Sequence, residues 1–191
     1  MVSFSKLQKH LQDYDSEREN LIKKSRDVLK LSKQLIYAIH RSEMKEAADL
    51  LAKIEEEKKD LDAIAQMNHR LECEGSYKIA IQEYVEAVLY FHFVKSGKLV
   101  DLDVAPEYFV LGLADLPGEL VRKAVFLAGK GDVSQVMRIR DEVDQIYGEL
   151  LRFDFRDNET RRKVDAVKYE LRKLEDLVLD LRLRRSGLPE L

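Results

Sequence analysis

The sequence predicts an all-α protein, an antiparallel bundle of six to seven long helices forming one domain over residues 1–191, and three observations carry that prediction. Charged residues make up 36% of the chain while only eight Gly and three Pro interrupt 191 residues, the composition of a long-helix protein. Apolar residues recur at spacings of three and four along most of its length. Strand signals are absent.

The first helix is expected from about Phe4 to Arg41, with no Pro or Gly to break it. Leu21, Ser25, Val28, Ser32, Leu35 and Ile39 form a stripe that should face a partner helix. On the other side Lys23, Arg26, Lys30, Lys33, Tyr37 and His40 repeat at the same spacing, with only Asp27 against them between Asn20 and Arg41. The pattern serves equally a solvated face and a phosphate-contacting stripe with an aromatic ring for stacking. Ser42 marks a turn, and Ala47, Leu50, Leu51, Ile54, Leu61, Ile64, Ala65 and Leu71 continue as a second long helix. Within it, Glu55 to Asp60 reads as a solvated stretch without function. Gly75 ends that helix or marks the next turn, and a third runs from about Tyr77 to Val94, stopping at Lys95-Ser96-Gly97-Lys98.

Leu99 to Ala105 is a loop, and Pro106 suits the first position of a fourth helix. Pro117 removes a backbone donor from that helix and should kink or restart it near Asp115. Gly129-Lys130-Gly131-Asp132 stops it; Val133, Val136, Ile139, Val143, Ile146 and Leu150 give a fifth helix. A sixth, from about Glu159 to Arg185, places Val164, Val167, Leu171, Leu174, Leu177, Val178 and Leu181 on one side. An apolar stripe left over on the first or last helix would make the bundle oligomerise.

The formal net charge is −3, so the chain is no polycation that clings to nucleic acid or anionic membrane, and any phosphate-binding surface is local. One cysteine, Cys73, excludes an intrachain disulfide framework and fits a reducing compartment. No apolar run approaches the ~20 residues of a membrane span, and Met1 to Asp15 is too polar for a signal peptide, so the expected location is the cytoplasm.

The chemistry lies in the third and fourth helices. Glu83 and Glu86, three residues apart among Ile79, Ile81, Val85, Val88 and Leu89, share one helix face. A carboxylate in such surroundings needs a cation, either a metal or a Lys or Arg. Asp115 and Glu119 form a second such pair, with Arg122 one turn beyond. If the two helices pack antiparallel, the four acids meet across one groove. Oxygen-only ligands suit Mg²⁺ or Mn²⁺, and a metal so held lowers the pKa of a bound water and stabilises phosphoryl charge, the requirements of a phosphodiester hydrolase. The same spacing serves equally four acids neutralised by Lys and Arg. A di-iron carboxylate bundle needs Glu three residues before His, and none of His10, His40, His69 or His92 has it. Nucleophile elbow, Gly-rich phosphate loop and zinc spacing are missing as well.

Gln82-Glu83-Tyr84-Val85-Glu86-Ala87 with His92-Phe93, then Tyr108 and Leu111 through Leu116 with Gly118-Glu119-Leu120, resemble the translin family, in particular its translin-associated factor X branch. Ser25-Arg26-Asp27, Ser32-Lys33, His40-Arg41 and Gly131-Asp132 extend the resemblance over nearly the whole chain. It implies subunits closing into an octameric shell that binds single-stranded RNA or DNA inside, with short duplex RNA a further ligand. In the factor X branch it implies a Mg²⁺- or Mn²⁺-dependent endoribonuclease. Glu83, Glu86 and Asp115 would then be the metal-holding catalytic acids, with Glu119 orienting the water or supporting a ligand. Lys33 and Arg122 are the first candidates for phosphate contact, followed by Lys23, Arg26, Lys30, His40 and Arg41. The translin branch lacks the acids at positions 83 and 86 and binds nucleic acid without cutting it, which makes a non-catalytic shell the alternative. The last helix, with Arg162-Lys163, Asp165, Lys168-Tyr169 and Lys173-Leu174-Glu175, is more similar to translin. The chain also lacks the long insertion of eukaryotic factor X before its Tyr-x-Leu-Gly segment. Both departures point to a compact homomeric form of archaeal or prokaryotic type.

Overall fold

The computed structural model describes residues 3–185, all of whose regular structure is helical. Seven helices follow one another: α1 (Phe4–His40), α2 (Met44–Ala65), α3 (His69–Glu72), α4 (Gly75–Ser96), α5 (Pro106–Gly129), α6 (Val133–Leu150) and α7 (Asn158–Arg185). The second helix does not reach Leu71 as the apolar spacing predicts. It stops at Ala65, and Asn68 starts the single turn α3 by accepting from the Arg70 amide, an N-cap that an apolar pattern does not register. Ser42 makes the α1–α2 turn in the left-handed region (φ 64°).

The core runs the length of α4, which buries Ala80, Ile81, Gln82, Tyr84, Val85, Ala87 through Phe91, and Phe93. A helix apolar on nearly all sides is a central one, and α1, α2 and α5 pack around it. Lys24 binds α1 to α2 through Glu57 (2.7 Å) and Asp60 (2.9 Å), so the charged stretch Glu55 to Asp60 is partly an inter-helix clamp. Its two acids hold the Lys24 ammonium well above the usual lysine range.

Sequence neighbours pack antiparallel across the α1–α2, α5–α6 and α6–α7 turns, but α4 and α5 run parallel. Tyr77 and Tyr108 touch near their starts (ring centroids 5.9 Å), Gly112 lies against Gln82 and Val85, and Lys123 and Leu127 share a cleft with Phe93 to Gly97 at their far ends. The antiparallel premise for this pair is therefore corrected. The cause is the segment 97–105, which returns the chain along α4 before α5 begins. A helix of 22 residues is about 33 Å long, and at about 3.4 Å per residue the segment covers that length only by running extended. Leu99, Val100, Leu102 and Val104 pack on the core as it passes, and Lys58 donates to the Asp103 carbonyl (3.0 Å).

Helix α5 also departs from expectation at Pro117, where no restart occurs and the helix continues to Gly129. The proline is buried, and Leu111, Gly112, Ala114 and Leu116 before it and Leu120 and Ala124 after it are buried too. Packing on both sides outweighs the backbone bond that proline removes, a cost of ~3 kcal/mol.

Candidate functional site

The parallel pairing of α4 and α5 sets the site. At Gly112 a Cβ would stand 2.6 Å from both the Gln82 carbonyl oxygen and the Val85 Cβ, so only glycine lets the two backbones come this close. One turn further along α5, Asp115 arrives beside Gln82, whose amide nitrogen donates to Oδ2 at 2.5 Å. Glu83 and Glu86 lie on the strip of α4 that remains half open, facing Asp115 and Glu119. Asp115 and Glu119 thus come to the side of α4 that carries Glu83 and Glu86, near enough for their charges to raise both of those carboxyls.

Their neighbours differ. Lys163 from α7 donates to both oxygens of Asp115, at 2.7 and 2.6 Å. Glu83 has the Lys33 ammonium at 3.8 Å; burial above all, with Asp115 and Glu119 adding to it, raises its pKa against the pull of Lys33 and Lys163. Glu86 makes no hydrogen bond or ion pair among the described residues. Burial, then the charges of Asp115, Glu83 and Glu119, push its pKa up to about 8.

Glu119 is held from α1. His40 Nε2 pairs with its carboxylate, and Nδ1 of the same ring lies 3.2 Å from the Tyr90 hydroxyl. The His40 side chain is only 9% exposed, and Tyr90 is fully buried. This places His40 between Glu119 and Tyr90, turned from the exposed basic face of α1. Arg122, 58% exposed, stands 3.9 Å from Glu119 at the rim.

The basic face of α1 is a real surface. Arg26, Lys30, Lys33, Tyr37 and Arg41 line a cleft of about 680 Å³ completed by Glu43 and Glu46 at the start of α2. The Arg41 guanidinium lies over the Tyr37 ring (5.8 Å), while Lys23 is exposed but outside the cleft. Lys33 belongs to both features, lining the cleft while its ammonium approaches Glu83. Lys33 therefore links the cleft to the acids.

Among the described residues no three His, Cys, Asp or Glu side chains stand together closely enough to hold a metal. The partners explain this, since Asp115 is turned to Lys163 and Gln82, Glu119 to His40 and Glu83 toward Lys33. The chemistry of the donor set nevertheless suits a hard divalent ion: the neighbouring acids offer oxygen ligands alone, and half-buried Glu86 has no hydrogen-bond or ion-pair partner among the described residues. No described helix is long and apolar enough to cross a membrane.

Gln82, Tyr90 and Lys163 belong to the site although sequence reasoning gave them no role there. Gln82 carried a signal, being an amide within an apolar helix where a buried polar group needs a partner. Lys163 carried another, next to Val164 and three residues from buried Thr160, at the edge of the α7 apolar stripe.

Comparison with known proteins agrees with this architecture. Translin-associated protein X of Pongo abelii is 27% identical over 239 aligned positions, covering all of this chain and 81% of that protein. An uncharacterized protein of Methanocaldococcus jannaschii is 33% identical over 172, covering 86% of this chain and 76% of its own. The structure of an AfC3PO complex with duplex RNA superposes with a TM-score of 0.86 at 27% identity, over 96% of this chain and 98% of that one. Apo-NeC3PO shares the fold with a TM-score of 0.88 at 23% identity, over 95% of this chain and 98% of that one. With the helices, the paired acid motifs and a match to the Translin family model over residues 16–185, this chain belongs to the Translin family.

Proposed function

We propose that this protein is a Mg²⁺- or Mn²⁺-dependent endoribonuclease whose substrate is bound within an oligomeric shell, by expectation an octamer. The observation that carries the reading is the gathering of the charges of Glu83, Asp115 and Glu119 around Glu86, which is half-buried and has no hydrogen-bond or ion-pair partner among the described residues. A carboxylate kept that way costs stability unless a cation joins it, and the basic cleft of α1 is linked to the acids through Lys33. Resemblance to the factor X branch and to a C3PO that binds duplex RNA supports RNA as the substrate.

Glu83, Glu86 and Asp115 would hold the ion. Bound there, it supplies a water of lowered pKa and stabilises charge on the phosphoryl oxygens. Glu119, held by His40, which in turn meets Tyr90, would orient the water or support a ligand. Lys33 and Arg122 flank the acids and bind the phosphates on either side of the scissile one. Arg26, Lys30 and Arg41 hold the strand further along, and the exposed Tyr37 ring offers a stacking platform. Apolar side chains left uncovered on α1 and α7, among them Leu7, Leu11 and Leu183, supply surface for subunit contacts.

A second reading, a nucleic-acid-binding shell that does not cut, is favoured by one observation: Lys163 already neutralises Asp115. A labelled single-stranded RNA incubated with Mn²⁺ and with EDTA separates the two. Glu86→Ala and Asp115→Asn are expected to abolish Mn²⁺-dependent cleavage while RNA binding persists. Cleavage retained in both variants sinks the assignment of the acids, and no cleavage by the parent protein with Mn²⁺ leaves the non-catalytic shell standing.

A further inference from the structure

Lys163 sits where a metal ion would have to go. Its ammonium spans both oxygens of Asp115 at 2.6 and 2.7 Å, and Gln82 donates to Oδ2 from the other side. The protein thus occupies the lone pairs that a divalent ion needs from this carboxylate. The ammonium also reaches Glu83 and Glu86 electrostatically, favouring the ionised form of both. It comes from α7, which packs along α5, and its side chain is only 26% exposed, so the contact belongs to the packed core edge and not to a mobile surface lysine. We propose that Lys163 is the resident cation of the acid cluster, holding Asp115 in place in the metal-free protein and competing with a divalent ion for it. Metal uptake is then an exchange, in which Lys163 must turn off Asp115 before the ion binds.

The inference rests on the metal-site reading, and direct Mn²⁺ binding distinguishes the failure of one from the failure of the other. The measurement is loss of the free Mn²⁺ electron-spin resonance signal on titration into the full chain, for the parent protein, Lys163→Met, Lys163→Arg and Asp115→Asn, each checked for folding by its thermal melt. Lys163→Met keeps the stem and removes the charge; it is expected to bind Mn²⁺ at least ~tenfold more tightly, since a unit positive charge held within a few Å of a divalent ion opposes its binding even in a well-screened site. Lys163→Arg, whose guanidinium grips a carboxylate with two parallel bonds, is expected to bind less tightly than the parent. If Asp115→Asn weakens Mn²⁺ binding but Lys163→Met binds no more tightly than the parent, the exchange is overturned and the metal site stands. If neither the parent nor Lys163→Met binds Mn²⁺, the metal site itself falls and the exchange with it. Should Lys163→Met not fold, an affinity of Lys163→Arg equal to or above that of the parent overturns the exchange.

Discussion

Glu86 has no partner, and its carboxyl is raised to about 8 mainly by burial, which makes its contribution to stability depend on pH in a defined direction. In the unfolded chain a glutamate titrates near ~4.3. Below that value it is protonated in both states and costs nothing. As pH rises toward 8 the unfolded state releases its proton while the folded state keeps it, so folding is progressively penalised, by on the order of a few kcal/mol above pH 8. Glu86→Gln is therefore expected to raise the melting temperature of the metal-free protein by several degrees at pH 8–9 and to leave it nearly unchanged at pH 4; equal shifts at both pH values would contradict this account. The residues of the site were only partly legible in the sequence. Glu83, Glu86, Asp115 and Glu119 were visible because helical period alone puts each pair on one face. The partner of each was not, because Lys163 and His40 reach the acids across helix contacts that spacing within one helix does not encode.

Single helices show the same division. The basic row of α1 follows from its period, and Arg26, Lys30, Lys33, Tyr37 and Arg41 do line one cleft. His40 lies about 60° round the helix from Tyr37, on the side away from Arg41, and that turn carries it to Glu119 and Tyr90. Arg26→Ala combined with Lys30→Ala, two exposed substitutions, is expected to weaken single-stranded RNA binding and lower the slope of log affinity against log salt by about 1.4, or ~0.7 per lost phosphate contact. Salt titration of the binding curve reads this; an unchanged slope would remove the cleft from the RNA path. Pro117 taught the opposite lesson from Glu86. Its local signal was strong, and packing by α4 and α7 overrode it, which a sequence read one helix at a time cannot weigh.

In the whole molecule two three-helix units meet, α1–α2–α4 and α5–α6–α7, joined where α4 packs on α5. The bundle was legible from composition and period. The parallel crossing was not, because nothing in 97–105 says that the chain runs back before it turns. Phe4, Leu7 and Leu11 stay exposed in one stripe on the first turns of α1, at 79%, 52% and 63%, an apolar surface suited to contact with another subunit. The mass in solution is expected to be a multiple of 22.2 kDa, eight protomers by the proposed shell, and Leu7→Asp with Leu11→Asp is expected to lower it. A monomeric parent protein by light scattering would exclude the shell.

The extended segment 97–105 divides the residues of the proposed site as well as the fold. Glu83, Glu86, Lys33 and His40 precede it, while Asp115, Glu119, Arg122 and Lys163 follow it. A break in this segment would leave each fragment with half of the acids and half of the bases, so neither fragment alone could carry the proposed activity, and any such activity of the pair would count the fragments that had found each other.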